Sequence, residues 1–572
     1  MVPGKKTKVF QEEVSVVICG GAGQGIQTID YIATRILKLA GFNVFSTKEY
    51  ESRIRGGSNS TEIRVSSNKV QSYVERIDVL IPLDELAIPH IEKRISKDTI
   101  IIGEKEKIQT KLDIVNVPFL TAAKDIGADI FANIIAVGLI AKLFGLKPEI
   151  LEDYLKKHFS KKGEDIIGKN ILAAKKGFEL GEKLIEDGVM EVSITSKNEI
   201  KEHLLLSGSD AVSLGAMAAG CNFISSYPMS PSTGVLTYLS QKAADFGIIA
   251  EQAEDEIAAL NMALGATYAG AQAMVTTSGG GFALMEEAVS LSGVMEMPAV
   301  IHIAQRPGPA TGLPTKTEQA DLELALYSGH GEFPRIIFAP GTLEEAFYLT
   351  QSAFSLANKF QIPVFVLTDQ YFIDSFYNIK NLDPKKTKVE RHITKTGKDY
   401  RRYEPSQTGV SPRGIPGFGV GLVGADSHEH DEAGHITEDA DIRVRMNDKR
   451  LKKLKSIEKE IIEPTLFGPK NYKTIVVSWG STRNVLEEAV SKLNRDDVAA
   501  LHFSQVYPIH PATKSLLEQA SKTIILENNA TSQFSRLLKI FTGHEFSHKI
   551  LKYNGEPFSV EEVISRIKEV LK

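Results

Sequence analysis

Cysteine is scarce in this chain. Its 572 residues hold two, Cys19 and Cys221, and no Cys-x-x-Cys pair occurs. The polypeptide therefore cannot hold a four-cysteine iron–sulfur cluster by itself. A disulfide framework is excluded too, which fits an intracellular setting. Long apolar runs are also missing. No stretch reaches the roughly 18 residues of a membrane helix, and the opening MVPGKKTKVFQEE lacks the apolar core of a secretory signal. The cytoplasm is the expected compartment. Charge is balanced: 67 Lys and Arg against 72 Asp and Glu give a formal net charge of -5, so no nucleic-acid footprint is implied. No short internal repeat is present.

What remains is an ordinary globular composition, 42% hydrophobic and 24% charged. The length predicts about three or four domains. Strand patterns alternate with helical ones nearly throughout, which predicts an α/β protein with mostly parallel sheets. Three blocks stand out: a Rossmann-like block over 1–186, a block over 203–385, and a third over 466–572. A polar linker is expected at 187–202 and connecting loops at 386–465, a length that marks functional or disordered chain. Strands are expected at 14–19, 223–225, 273–277, 299–304, 335–338, 364–368, 475–478 and 523–527.

The first strand runs into Gly20, Gly21, Ala22, Gly23, Gln24 and Gly25, and a helical pattern follows with Ile29, Ile32, Ile36 and Leu37 on one face. Glycines there let an anion approach backbone N–H groups. The spacing is G-x-G-x-G, not the dinucleotide G-x-G-x-x-G. Ser46, Thr47 and Lys48 stand where a NAD site would place its ribose-binding acid, and Arg53 and Arg55 follow. A phosphorylated or anionic ligand suits this set; a bare strand-to-helix turn is the alternative.

Strand 223–225 ends in Tyr227, Pro228, Met229, Ser230, Pro231, Ser232 and Thr233. Ser230 before Pro231 reads as a helix N-cap with proline at the first position; the functional reading puts hydroxyls at the ligand-binding edge of a parallel sheet. Acids at 251, 254, 255 and 256 precede a helix rich in small residues. Most such acids are capping groups, but one buried among small residues would have a raised pKa and could hold a proton toward a ligand nitrogen. A second glycine loop, Ser278 to Gly281, follows strand 273–277. Strand 299–304 then delivers Arg306 into a Pro/Gly loop holding Thr311 and Thr315. A guanidinium matches a carboxylate bidentately; a surface arginine is the bland alternative.

Together these segments resemble the 2-oxoacid:ferredoxin oxidoreductases. YPMSPST, EDEIAALNMALGA, TTSGGGFALMEEA and QRPGPATGLPTKTEQ resemble the family's α domain, of the thiamine pyrimidine-binding type. GGAGQG and ESRIRGGSNSTEIR resemble its γ domain. LENNATSQFSRLL resembles the end of a transketolase C-terminal-like domain. The γ–α fusion is similar to that of 2-oxoglutarate and broad 2-oxoacid enzymes. The resemblance implies thiamine diphosphate shared with a β subunit, which carries Mg²⁺ and at least one [4Fe–4S] cluster. The absence of Cys-x-x-Cys and GDG from this chain agrees. It also implies decarboxylation of a 2-oxoacid, transfer of the acyl group to coenzyme A and electron transfer to ferredoxin.

By the same resemblance, Glu256 is the acid that pairs with the aminopyrimidine, and Tyr227 and Pro228 line the cofactor. Ser230, in place of the family's threonine, lies near the substrate. Arg306 takes the substrate carboxylate, with Thr315 and Thr311 beside it. Gly21, Gly23, Gln24 and Gly25 are coenzyme A candidates, and Lys48 faces substrate or coenzyme A. In GADSHEHDEAGHI, a zinc reading of His428, His430, Asp431 and His435 fits no standard spacing; Asp431 or His430 facing substrate is preferred, and no metal is expected. Rival readings are a pyruvate or branched-chain enzyme of the same family, a ferredoxin-independent thiamine enzyme, and a non-catalytic coenzyme A or nucleotide binder.

Overall fold

The protein is represented by a computed structural model that describes residues 7–21, 25–50 and 57–572. Gly23, Gln24, Arg53 and Arg55 lie outside the described residues. The chain divides into two compact units, residues 1–206 with 375–381, and 207–374 with 382–572.

The first unit is built on an eight-stranded sheet. Its order is Ile114–Asn116, Ile100–Gly103, Val79–Pro82, Glu13–Gly21, Ser58–Ser66, Asn43–Glu49, Phe376–Ile379, Leu204–Ser207. Glu13–Gly21 is central and buried along nearly its whole length, as a strand covered on both faces must be. Ser58–Ser66 runs antiparallel to both Glu13–Gly21 and Asn43–Glu49. It therefore separates the two strands joined by helix Ile26–Ala40, which a dinucleotide fold would leave adjacent. The expectation of mostly parallel pairing fails on this side of the sheet. The strand's buried polar residues hid it: Arg64 pairs with Glu13 at 2.8 Å, and Glu62 pairs with Arg94. Helices Ala132–Leu143 and Glu164–Glu186 meet at Gly138 and Gly177, where any side chain would strike the opposite backbone. The expected linker at 187–202 is part of this unit's structure. Met190–Val192 pairs in parallel with Lys8–Phe10, and Asn198–Glu202 forms a helical turn.

The second unit carries two sheets. The larger runs Ile249–Gln252, Phe223–Ser226, Ala273–Thr277, Ala299–Gln305, Pro363–Asp369, Ile336–Phe338, Gln505–Tyr507, parallel except for the last strand. The smaller runs Thr465–Phe467, Val498–Phe503, Thr474–Trp479, Lys522–Glu527, His548–Leu551. One apolar cluster joins them, with Val275, Ile301 and Phe365 packed together with Val477, Ile525 and Phe534. The second and third sequence blocks thus share a core.

The expected connecting loops are an ordered wrap. Arg402, Tyr403 and Arg413 are among the largest fully buried side chains. Helix Ala440–Lys452 lies within the segment. Sequence pattern misses it because its buried face is Met446, Lys449 and Arg450, with only one apolar residue. Those cations meet acids: Lys449 and Lys453 each lie 2.6 Å from Glu296, and Arg450 pairs with Glu429 at 2.7 Å. Among the described residues no helix is long and apolar enough to cross a membrane.

Candidate active site

Four neighbouring strands of the larger sheet end at one edge, since they run parallel. They deliver Tyr227, Ser278, Arg306 and Asp369 in adjacent places. This is where open α/β sheets bind ligands.

The turn after Phe223–Ser226 corrects the capping reading. The helix starts at Thr233, not at Pro231. Ser232 closes a turn instead, its N–H and hydroxyl both donating to the Met229 carbonyl at 2.9 and 2.7 Å. Ser230 is left exposed beside a cis Ser230–Pro231 peptide, and Tyr227 and Pro228 are exposed as well. The sequence-predicted hydroxyl is therefore exposed and does not cap the helix.

Helix Glu256–Tyr268 divides its acids between two jobs. Asp255 is the cap, its carboxylate accepting the Ala258 N–H at 2.7 Å. Glu256 does no capping. Its side chain is 3% exposed, and Oε1 is buried with no hydrogen-bond partner. Burial pushes its carboxyl above the ordinary range; its own backbone N–H pulls the other way, Asp255 adds to the rise, and Arg306 opposes it. The carboxylate lies against Gly281, where any side chain would collide with it. The glycine turn Ser278–Gly281 is thus a cradle that makes room for a protonatable acid. The Ser278 hydroxyl is a second buried polar group there without a partner.

Arg306 is half-buried. Its Nη1 donates to the Ser230 carbonyl at 2.7 Å, joining the two loops. Burial lowers its pKa, while Asp321 and Glu256 raise it. The loop beyond turns back on itself, with the Leu313 N–H donating to the Pro307 carbonyl at 3.0 Å and Gly312 at φ 53°, a left-handed value that favours glycine. Thr311 on this loop is exposed and Thr315 half-buried. The Ala310 carbonyl covers Gly280.

The loop's far end is bolted down by residues that pattern reading did not single out. The Gln319 N–H donates to the Asn528 carbonyl at 2.7 Å, its Nε2 to the Trp479 carbonyl at 2.8 Å, and its Oε1 accepts the Asn528 N–H at 3.1 Å. Asn529 donates to the Gln319 carbonyl at 3.1 Å. Next to them Glu527 accepts from Trp479, Asn529, Ser532 and the Phe534 and Ser535 N–H groups. TEQ and ENN, distant in sequence, are two halves of one clamp.

Asp431 Oδ1 accepts the Ala433 and His435 N–H groups at 2.8 and 3.0 Å, closing a turn. His430 packs against Tyr403 with ring centres 3.9 Å apart and the planes tilted by 35°, and His428 bonds Asp426 at 2.7 Å. Among the described residues no group of three or more His, Cys, Asp and Glu is arranged to hold a metal.

In the first unit, Gly25 caps helix Ile26–Ala40 at φ 75°, and a side chain there would strike Asn133. The Gly21 N–H donates to Asp84 at 2.6 Å. Lys48 pairs with buried Asp30 at 3.4 Å and lies 4.6 Å over the Phe376 ring.

Comparison with known proteins bears on both units. Residues 214–449 match the family model for the pyruvate flavodoxin/ferredoxin oxidoreductase thiamine diphosphate-binding domain. Residues 15–180 match that for pyruvate ferredoxin/flavodoxin oxidoreductase. The 2-oxoacid:ferredoxin oxidoreductase subunit alpha of a Sulfolobus species is 30% identical over 98% of this chain and 97% of its own length. The 2-oxoglutarate oxidoreductase subunit KorA of Mycobacterium tuberculosis is 25% identical over 96% of this chain and 90% of its own. The 2-oxoglutarate:ferredoxin oxidoreductase from Magnetococcus marinus, solved with 2-oxoglutarate, coenzyme A and succinyl-CoA bound, aligns with a TM-score of 0.90 at 29% identity, covering 98% of this chain and all of that one.

Proposed function

Because this chain belongs to the 2-oxoacid:ferredoxin oxidoreductase alpha subunits, one subunit of a multi-subunit oxidoreductase, we propose that it forms half of a thiamine diphosphate pocket with Glu256 on the pyrimidine. The observation that carries this is the buried, unpartnered Glu256 Oε1 beside a glycine cradle. An acid with a raised pKa, its carboxyl packed where only glycine makes room for it, fits a ring nitrogen that must exchange a proton. When bound, thiamine diphosphate supplies the nucleophilic carbon that adds to a 2-oxo group and accepts the electron pair freed as CO₂ departs. Glu256 holds a proton at the ring nitrogen. Arg306 binds the substrate carboxylate, and the Ser230, Thr311 and Thr315 hydroxyls orient the keto end. Tyr227 and Pro228 wall the cofactor.

Large apolar residues flank this half-site in the open: Tyr227, Ile257, Met262 and Leu284 are 38%, 49%, 40% and 52% exposed. Such a rim wants a partner surface. We assign it to a β subunit that brings Mg²⁺ and a [4Fe–4S] cluster, for which this chain has too few cysteines, and that passes electrons to ferredoxin. Coenzyme A takes the acyl group. The first unit, with Gly21, Gly25 and Lys48, is its candidate site, as are Gly23 and Gln24 outside the described residues.

The preferred substrate is 2-oxoglutarate, in line with the ligands of the Magnetococcus enzyme and the name of the Mycobacterium relative. The complex purified with its partner is to be assayed with coenzyme A and viologen against 2-oxoglutarate, pyruvate and branched 2-oxoacids. The highest kcat/KM is expected for 2-oxoglutarate; a preference for another acid overturns the substrate assignment. Full turnover in the combined Glu256→Ala, Arg306→Ala variant overturns the site.

A further inference from the structure

Asp321 stands beside Arg306 and is not among the residues used above. Its N–H donates at 3.0 Å to Gln305 Oε1, the side chain just before Arg306, and Gln305 is itself tied by Nε2 to the Thr368 carbonyl at 3.1 Å. The Asp321 carboxylate lies over Gly279, where any side chain would strike it. Backbone and carboxylate are therefore fixed relative to the strand end.

Two atoms there are left over. Asp321 Oδ2 is buried without a donor, and Arg306 Nε is buried without an acceptor. Their charges act on each other, yet among the described residues no ion pair within 4.0 Å joins them. Arg306 instead spends Nη1 on the Ser230 carbonyl. Buried complementary groups that remain apart are costly, and bringing them together satisfies both.

We propose that Asp321 is the positioning residue for Arg306: its carboxylate takes the guanidinium Nε while the Nη edge turns from Ser230 to the carboxylate of the 2-oxoacid. The inference rests on Arg306 being the substrate-carboxylate ligand. An arginine held at Nε presents its two Nη groups in a fixed plane, as bidentate carboxylate binding requires. Held only by Ser230, it can rotate about its own axis.

The groups facing Asp321 set the pH at which this works. Burial and Glu318, from the preceding loop, raise its pKa to about 7, and Arg306 opposes the rise. The glycine turn Gly279–Phe282 carries no titratable group, and Gln305 is neutral. Above that pH Asp321 is ionised and holds Arg306. Below it the carboxyl is neutral and the hold weakens.

The test is the pH profile of KM for the 2-oxoacid in the intact complex. In the wild type KM should rise as pH falls through about 7, with kcat changing less. Asp321→Asn should raise KM roughly tenfold at pH 8 and flatten the profile. Glu318→Gln should keep the limb and move it to lower pH. A purely structural Asp321 would change the melting temperature but leave the limb in place. If Asp321→Asn fails to fold, the wild-type profile still decides, because a flat KM across the range overturns the proposal. Arg306→Ala separates the two layers. Unchanged KM in that variant overturns the role of Arg306 itself, whereas a large KM with wild-type behaviour of Asp321→Asn overturns only the role of Asp321.

Discussion

Two glutamates of the second unit are equally buried and opposite in character. Glu256 is 3% exposed and Glu296 is 1% exposed. Glu296 is ringed by cations, with Lys449 and Lys453 each 2.6 Å from its carboxylate and its carbonyl accepting Arg402 Nη2 at 2.7 Å. Burial alone would raise its pKa, but Lys453, Lys449 and Arg402 hold it far below the carboxylate range. Glu256 has an empty oxygen and a raised pKa. A buried acid surrounded by cations is a staple; one at a sheet edge whose pKa burial raises is a candidate for ligand chemistry. Burial alone does not separate structure from chemistry. The cations packed around the carboxylate do.

Breaking each glutamate should break a different property. Glu256→Gln is expected to cut turnover of the complex by about 10²–10⁴-fold, the range for a lost acid–base group, without lowering its melting temperature. The sign follows from linkage: a raised carboxyl pKa means stability is lost as pH climbs above the ordinary carboxylate range toward it, so the variant should lose less stability than the wild type over that rise. Glu296→Ala should do the reverse. Leaving two lysines buried without their carboxylate costs about 3–5 kcal/mol, read by denaturant unfolding, with turnover per folded complex nearly intact. In the wild type the Glu296 contribution is present above the ordinary carboxylate range and fades as pH falls below it. A smaller effect tests the clamp between the two halves of the unit. Gln319→Ala strips Asn528 and Trp479 of partners and should cost about 1–3 kcal/mol, with a raised KM for the 2-oxoacid as the loop bearing Arg306 loosens. Unchanged KM would detach the clamp from the site.

The central strands of the larger sheet were legible because apolar runs sit between glycine and proline breakers, and the observed ends differ from the expected ones by at most one residue. Ile249–Gln252 was not, since it lies at an edge and is half polar. Ser58–Ser66 was missed because its buried charges are paired by Glu13 and Arg94 from elsewhere in the chain. Glu256 stood out only by family motif; local pattern made it one capping acid among four, and Asp255 alone takes that role. Asp321 left no signal, because what isolates it is Gly279 and Arg306 rather than its sequence neighbours. Asp431 and Lys48 were read toward a ligand, while their nearest partners are a turn and Asp30. Side chains whose environment is assembled by distant chain are the ones a sequence hides.

The sharpest probe is hydrogen–deuterium exchange at C2 of thiamine diphosphate bound to the intact complex, read by acid quench and NMR in wild type and Glu256→Gln. Exchange at least 10²-fold slower in the variant is expected if the Glu256 carboxyl serves the pyrimidine. Equal rates at equal cofactor occupancy would contradict it.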